Sequence, residues 1–205
     1  MKRKGLLLVV SGPSGVGKGT ICKALMKLRE DIVLSISMTT RAPRTGEVEG
    51  VNYFFTNREA FEGMIERGAL LEYAKVYDNY YGTPKAFVME QLEKGVDVLL
   101  EIDIQGALQV KAQYPEGIFI FILPPTMAEL RNRIIGRGTE TAEAIDKRFT
   151  AAYNEIDLIE NYNYYIFNDR VDLATARLIS IIEAERLRIR PQSVKELIRE
   201  IKEES

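Results

Sequence analysis

A glycine-rich turn, Ser11-Gly12-Pro13-Ser14-Gly15-Val16-Gly17-Lys18-Gly19-Thr20, stands between the apolar run Leu6-Leu7-Leu8-Val9-Val10 and a helical pattern from Ile21 to Leu28. Strand, glycine loop and helix in that order predict an α/β domain with a phosphate-binding loop. Glycines lack a Cβ, so the backbone can turn tightly and approach an anion closely. Successive N–H groups and the positive end of the following helix then converge on one point. Lys18 adds a mobile charge for the outer phosphates. Two glycines five apart, followed by lysine after a strand, are far more specific than a chance turn.

One position departs from the general pattern. A Ser or Thr hydroxyl normally follows the lysine and ligates magnesium. Here Gly19 takes that place and Thr20 follows it. Cradling phosphate is a backbone task and is unaffected. The expectation is a Mg2+ ion held mainly by nucleotide phosphates and water, near Thr20 and Glu101, an arrangement that magnesium tolerates.

The rest of the composition sets bounds. With 205 residues, 46% of them hydrophobic, the chain can fill one α/β domain with an insertion or two. A net charge of −2 provides no global field toward nucleic acid or an anionic membrane, so neither is an expected partner. Cys22 is the only cysteine, which excludes an internal disulfide and a cysteine-based zinc site. There is no histidine, so the commonest general base is missing. The apolar run after Met1-Lys2-Arg3-Lys4 has only five residues before Ser-Gly-Pro, short of the roughly 7–15 of a signal core. No stretch approaches a membrane span, and a soluble cytoplasmic protein is expected.

Further along, Val33–Thr39 alternates apolar and small polar residues and predicts a strand. It feeds a Pro- and Gly-containing loop, Thr40 to Glu47. Arg41 and Arg44 there suit a solvated surface and a bidentate phosphate site equally well. Tyr53-Phe54-Phe55 reads as a short strand, and Thr56-Asn57-Arg58-Glu59 as a capping box opening a helix that Gly68 ends. Leu70–Val76 and Asn79–Gly82 read as strands, and Thr83-Pro84 starts a helix with Pro in its first turn. Val96–Ile104 is a nearly continuous apolar run ending in carboxylates, the pattern of a buried parallel strand. Glu101 and Asp103, two apart, then share a face at its carboxyl end, where ligands of open α/β sheets sit. Ile118–Leu123 predicts another buried strand, stopped by Pro124-Pro125. Thr126-Met127-Ala128-Glu129 is a second capping box. The helix it opens carries Arg131 and Arg133, breaks at Gly136-Arg137-Gly138-Thr139-Glu140-Thr141, and resumes through Lys147 and Arg148. Arginines on a glycine-hinged helix pair suit a lid over phosphates, although a solvated arm fits Arg131 and Lys147 as well. Tyr164–Phe167 predicts a last strand, ending at Asn168-Asp169. Leu173–Arg188 predicts an amphipathic helix, and the charged segment after Pro191 a peripheral one.

These segments, GPSGVGKGT, SISMTTRAPRTGEVEGVNYFF, LLEYAKVYDNYYGTP, LLEIDIQGA, GRGTET and the final Asn-Asp, occur in an order and spacing that resemble the guanylate kinases, ATP:GMP phosphotransferases. The likeness runs from about Gly5 to Leu187. It implies a three-layer P-loop NTPase fold around a central parallel sheet, within one domain spanning 1–205. The core would comprise 1–36, 84–124 and 150–190, with a strand-rich GMP-binding insertion at 37–83, a helical lid at 125–149 and a helical tail at 191–205. Gly12, Pro13, Ser14, Gly15, Val16, Gly17, Lys18, Gly19 and Thr20 would bind ATP, with Asn168 near its adenine. Arg41, Arg44, Tyr53 and Tyr81 match positions that hold the GMP phosphate, in a segment that includes Glu47. Ser37, Glu72, Thr83 and Asp103 match those around the guanine. Lys18, Arg137 and Arg148 would stabilise the transferred phosphoryl group alongside Arg41 and Arg44, and Glu101 corresponds to a carboxylate near the magnesium shell. The resemblance leaves assembly into a homo-oligomer open.

The chemistry agrees independently. Guanine presents N1–H and N2–H2 along one edge, so a buried carboxylate such as Glu72 accepts both, whereas the N1 acceptor of adenine would leave it unpaired. Such a site discriminates by ~10⁴ or more. Ser37 could donate to O6. The nucleophile would be a GMP phosphate oxygen, largely ionised at neutral pH with a second pKa of about 6, so no histidine is needed. Two rival readings stand beside this one. The first is a monophosphate kinase for another base, since Gly-Lys-Gly-Thr also occurs in adenylate kinases. The second is a non-catalytic guanylate-kinase-like module that binds phosphopeptides, against which the intact Lys18 loop and lid arginines count.

Overall fold

The computed structural model describes residues 4–136 and 142–189, together with Val194, Ile198, Arg199, Ile201 and Lys202. The chain runs β1 (Leu7–Ser11), α1 (Lys18–Leu28), β2 (Ile32–Leu34), β3 (Met38–Thr39), β4 (Phe54–Phe55), α2 (Arg58–Glu66), β5 (Leu70–Val76) and β6 (Asn79–Pro84). It continues with α3 (Lys85–Glu93), β7 (Asp97–Glu101), α4 (Ile104–Gln113), β8 (Ile118–Leu123), α5 (Met127–Ile135) and α6 (Ala142–Ile156). After a 3₁₀ turn, Asp157–Asn161, come β9 (Tyr164–Phe167) and α7 (Val171–Leu187).

The core sheet is parallel throughout, in the order β2-β7-β1-β8-β9. Its centre, β1, is buried along its whole length. Alternation divides it between two layers of the core. Leu8 and Val10 pack with α1 and α7 through Ile21, Leu25, Leu178 and Ile182. Leu7 and Val9 pack with Val88 and Leu92 of α3 and Val110 of α4. A strand covered on both faces must be apolar on both, which explains the unbroken run Leu6–Val10. The same burial closes off Cys22, whose thiol is pushed well above its ordinary pKa and is inert.

A second sheet, β4-β3-β6-β5, lies within residues 38–84 and is mostly antiparallel, with only β3 and β4 running parallel. The ring of Phe61 on α2 is fully buried and stacks on Tyr80 at 5.2 Å. Two glutamines of α4 close the β5 edge. Gln109 accepts from Tyr73 N at 3.1 Å and donates to Tyr73 O at 3.0 Å, and Gln113 donates to Leu71 O at 2.9 Å.

Several local expectations are corrected. Val33–Thr39 is not one strand. The chain leaves the core sheet after Ser35 N bonds Leu99 O, and Met38 joins the second sheet, so the alternating run is a strap between sheets. The run at 96–104 stops at Glu101, because Asp103 turns its carboxylate back to accept Gly106 N at 2.7 Å as the N-cap of α4. Asp103 therefore shares no strand face with Glu101. Asn57, not Thr56, caps α2, accepting Ala60 N at 2.8 Å, while Thr56 N is taken by Thr39 O. Pro84 still pairs with Leu70 and precedes α3 rather than sitting in its first turn. The last helix begins two residues before Leu173. Thr126 caps α5 as expected, accepting Glu129 N at 3.1 Å.

Asp97 is the one acid buried at the foot of the core sheet's central pair of strands. It accepts Leu6 N at 2.9 Å and pairs with Arg186 of α7 at 2.8 Å. Asp97→Ala orphans the Leu6 N–H and one side of Arg186, an expected loss of about 2–3 kcal/mol. For a chain of this size the melting temperature falls by about 5–10 °C. Asp97→Asn keeps the acceptor for Leu6 and should recover part of the shift in the same thermal scan.

Candidate functional site

The carboxyl end of β1 opens into the glycine loop. Gly12, Gly15 and Gly17 all have positive φ, at 147°, 87° and 96°, and Gly17 caps α1 from the left-handed region. A Cβ on Gly12 would stand 2.4 Å from Ile122 O, so both conformation and space demand glycine there. Val16 is buried and its carbonyl is held from below. Asn168 Nδ2 donates to it at 2.7 Å and Arg133 Nη1 at 3.3 Å, while Arg133 Nη2 binds Asn168 O at 3.0 Å. The side-chain amide N–H of Asn168, expected near adenine, is thus engaged in fixing the loop.

Lys18 begins α1 and donates from Nζ to Gly12 O at 2.6 Å, closing the loop on itself. Burial lowers its pKa, with Glu101 and then Glu155 pulling the other way. From α6, Arg148 Nη2 reaches Ser14 Oγ at 2.8 Å. Pro13 is buried, whereas Ser14 and Thr20 are exposed at the mouth. Arg137 lies outside the described residues. Glu155 was not singled out in the sequence, yet it stands beside this loop. Burial raises its carboxyl, while Lys18 and the Ser14 amide lower it. Its only sequence signal is its place seven residues after Arg148, on one stripe of α6.

Gly19 faces Glu101, the last residue of β7. Among the described residues no group of three or more His, Cys, Asp or Glu side chains could hold a metal alone. Glu101 is raised by burial and lowered by Lys18, and its carboxylate lies against Gly19.

A second cluster sits where the two sheets meet. Glu72 of β5 is 7% exposed and accepts from Thr83 Oγ1 of β6 at 2.6 Å. The register between β5 and β6 shifts at this point, between Leu70 and Glu72. The other Glu72 oxygen lies over Gly106, where a Cβ would come within 2.9 Å of it. Burial raises the Glu72 carboxyl to about 7, the Thr83 hydrogen bond opposing and Asp103 adding to it. A carboxylate held dry, with no side-chain donor to its second oxygen among the described residues, is prepared to accept hydrogen bonds from a ligand. Ser37, on the strap between the sheets, is half-buried, and its carbonyl accepts Phe54 N at 2.9 Å.

The third cluster is the loop after β3. Arg41 pairs with Glu47 through two parallel bonds of 2.9 Å, and Glu47 also accepts Arg44 N at 2.8 Å. The guanidinium lies 5.4 Å from the Tyr53 ring centre, and Tyr53 meets Tyr81 edge-on at 6.0 Å. Glu47, expected among ligand contacts, is engaged as the clamp that orients Arg41 and the loop backbone. Arg44 is exposed. Arg41, Tyr53 and Tyr81 are therefore brought together, and Arg44 stands beside them through its backbone.

Known proteins resemble this chain in sequence and in fold. The guanylate kinase family model matches residues 4–185. A guanylate kinase from Clostridioides difficile is 62% identical over 187 residues, covering 91% of each chain. One from Caldanaerobacter subterraneus subsp. tengcongensis is 60% identical over all 205 residues and 98% of its own length. The crystal structure of guanylate kinase from Anaplasma phagocytophilum superposes with a TM-score of 0.73 at 36% identity, covering 92% of this chain and 89% of that one. With the fold, the loop and the relatives in agreement over nearly the whole length, the chain belongs to the guanylate kinase family.

Proposed function

We propose that this chain transfers the γ-phosphoryl group of ATP to GMP, yielding ADP and GDP, in purine nucleotide metabolism of the cytoplasm. The observation that carries the reading is the buried Glu72–Thr83 pair at the junction of the sheets. Guanine's N1–H and N2–H2 are donors matched to that carboxylate, Ser37 and Asp103 lie on adjoining segments, and adenine would leave Glu72 unpaired. Arg41, with Arg44, Tyr53 and Tyr81, takes the GMP phosphate, and Glu47 keeps the Arg41 fork aimed. The loop Gly12–Thr20 takes the ATP phosphates. No helix among the described residues is long and apolar enough to cross a membrane.

No protein base is required, because the attacking oxygen belongs to a phosphate largely ionised at pH 7. Catalysis is positioning plus charge neutralisation. Lys18 leaves the Gly12 carbonyl for the β,γ-phosphates, and Arg148, already at Ser14, and Arg137 meet charge on the transferred group. A magnesium ion bound with ATP would supply charge neutralisation at the phosphates, and Glu101 is the carboxylate that would hold it. Closure of the 125–149 segment excludes water that would otherwise hydrolyse ATP.

Three measurements test this. Lys18→Ala is expected to lower kcat by roughly 10²–10³ with the melting temperature little changed, and full ATP:GMP turnover in this variant refutes the mechanism. Glu72→Gln removes the acidic edge at constant size. It should lower kcat/KM for GMP by at least ~10² and narrow the preference over AMP, while relieving a buried charge and so leaving stability equal or higher. The third is pH dependence. Since the folded Glu72 titrates near 7 and the unfolded one near the ordinary carboxylate value, the ligand-free chain gains nothing from this group at high pH. Its contribution to stability is present at low pH and lost as pH rises through about 7. GMP needs the ionised form, so calorimetry should show GMP affinity rising from pH 6 to 8 with proton release. Glu72→Gln should keep only the part that belongs to the GMP phosphate itself.

A further inference from the structure

Gly106 lies in the first turn of α4, and nothing in its backbone calls for glycine. It is helical and is not among the residues with positive φ, so alanine there would favour the helix. The reason for glycine is one of space. A Cβ on Gly106 would stand 2.9 Å from Glu72 Oε2, 3.2 Å from Glu72 Cδ and 3.4 Å from Asp103 Oδ1. The Glu72 carboxylate thus rests on the first turn of α4, in the volume that a side chain at 106 would fill.

That carboxylate has nowhere to step aside without losing its place. Glu72 is 7% exposed, so open solvent does not receive it. Its Oε1 is held by Thr83 Oγ1 at 2.6 Å, and swinging the group away breaks that bond. Nor can the helix retreat from the strand. Both neighbours of Glu72 are bonded to α4 itself, Tyr73 to Gln109 at 3.1 and 3.0 Å and Leu71 O to Gln113 at 2.9 Å. Ordinary contact begins near 3.4 Å, so a methyl group at 106 displaces the carboxylate. A small misplacement of a positioning group is enough to spoil recognition by paired hydrogen bonds. We propose that Gly106 is a specificity-determining position of the guanine site, its missing side chain being what lets Glu72 present its second oxygen to the base edge. Gly106 acts through Glu72, as a positioning residue. The inference rests on the assignment of Glu72 to guanine, and it adds that a helix of the core helps to choose the base.

The test uses the full chain with Gly106→Ala, Glu72→Gln, Glu72→Asp, and Gly106→Ala combined with each acid change. In Gly106→Ala, kcat/KM for GMP should fall by ~10-fold or more and the preference for GMP over AMP should narrow. ATP affinity measured without GMP should not change, because the glycine loop is untouched. Once Glu72→Gln has removed the acidic edge, adding Gly106→Ala should cost little more, whereas a general disturbance of the helix would add its full loss. Additive losses overturn the proposal, as do GMP turnover and base preference unchanged in Gly106→Ala. Glu72→Asp withdraws the carboxylate by one bond, about 1.5 Å, and makes room for the methyl group. Should Gly106→Ala alone fail to fold, this background decides: folding regained supports the pairing, and folding still lost overturns it. Glu72→Gln alone separates the proposal from the assignment beneath it. Undiminished GMP turnover in Glu72→Gln overturns the guanine assignment itself, whereas loss there with normal turnover in Gly106→Ala overturns only the role of Gly106.

Discussion

A parallel sheet releases every strand at the same edge, and that constraint gathers the residues around the glycine loop. The glycine loop leaves β1, the strap to the second sheet leaves β2, Glu101 and Asp103 leave β7, and Asn168 follows β9. Residues far apart in sequence meet without any long-range design beyond strand order. Asn168 reaches Val16 across 152 positions because β9, β8 and β1 are successive neighbours. The apolar interior that holds these strands is therefore the scaffold for a site composed almost wholly of polar groups. The same edge crowds opposite charges together: Glu101 and Glu155 each raise the Lys18 ammonium, and Lys18 lowers both carboxyls in return.

The second sheet contributes what the first cannot. A carboxylate at the open edge of the core, such as Glu101, keeps access to solvent. Glu72 is enclosed between β6 and the start of α4, where water does not compensate its charge. The absence of a Cβ at Gly106 leaves room for that carboxylate. The cost of enclosure is visible in the raised protonation of the free acid, which a ligand with two N–H donors would offset. Selectivity for a base edge thus depends on burial more than on the identity of the acid alone.

The legible parts of the sequence were those governed by local rules. The core strands at Leu7–Ser11, Asp97–Glu101 and Ile118–Leu123 are apolar because both faces are covered, and the glycine loop announces itself by composition. Thr126 takes the N-cap of α5 by such a rule, accepting Glu129 N, while the Glu129 carboxylate turns to Arg133 and does not close the box. The misreadings arose where tertiary contacts override such rules. Ser35–Ser37 alternates like a strand but bridges two sheets, Asp103 is claimed by a helix end, and Thr56 is claimed by Thr39. In the candidate site, Arg41, Tyr53, Tyr81, Glu72 and Thr83 are assigned through resemblance, not periodicity. Glu155 shows only its helical spacing from Arg148, and the loop-fixing role of Asn168 carries no local signature, because the partners of both lie more than a hundred residues away.

The paired hydrogen bonds between Gln109 and Tyr73 have a mechanical corollary. A side-chain amide here imitates the peptide of an adjacent strand, so the outer border of β5 is sealed by a helix that begins at Asp103, next to the core's carboxyl edge. Gln113, donating to Leu71 O at 2.9 Å, fastens the same border one helical turn further on, so α4 and β5 are stitched together at two successive points.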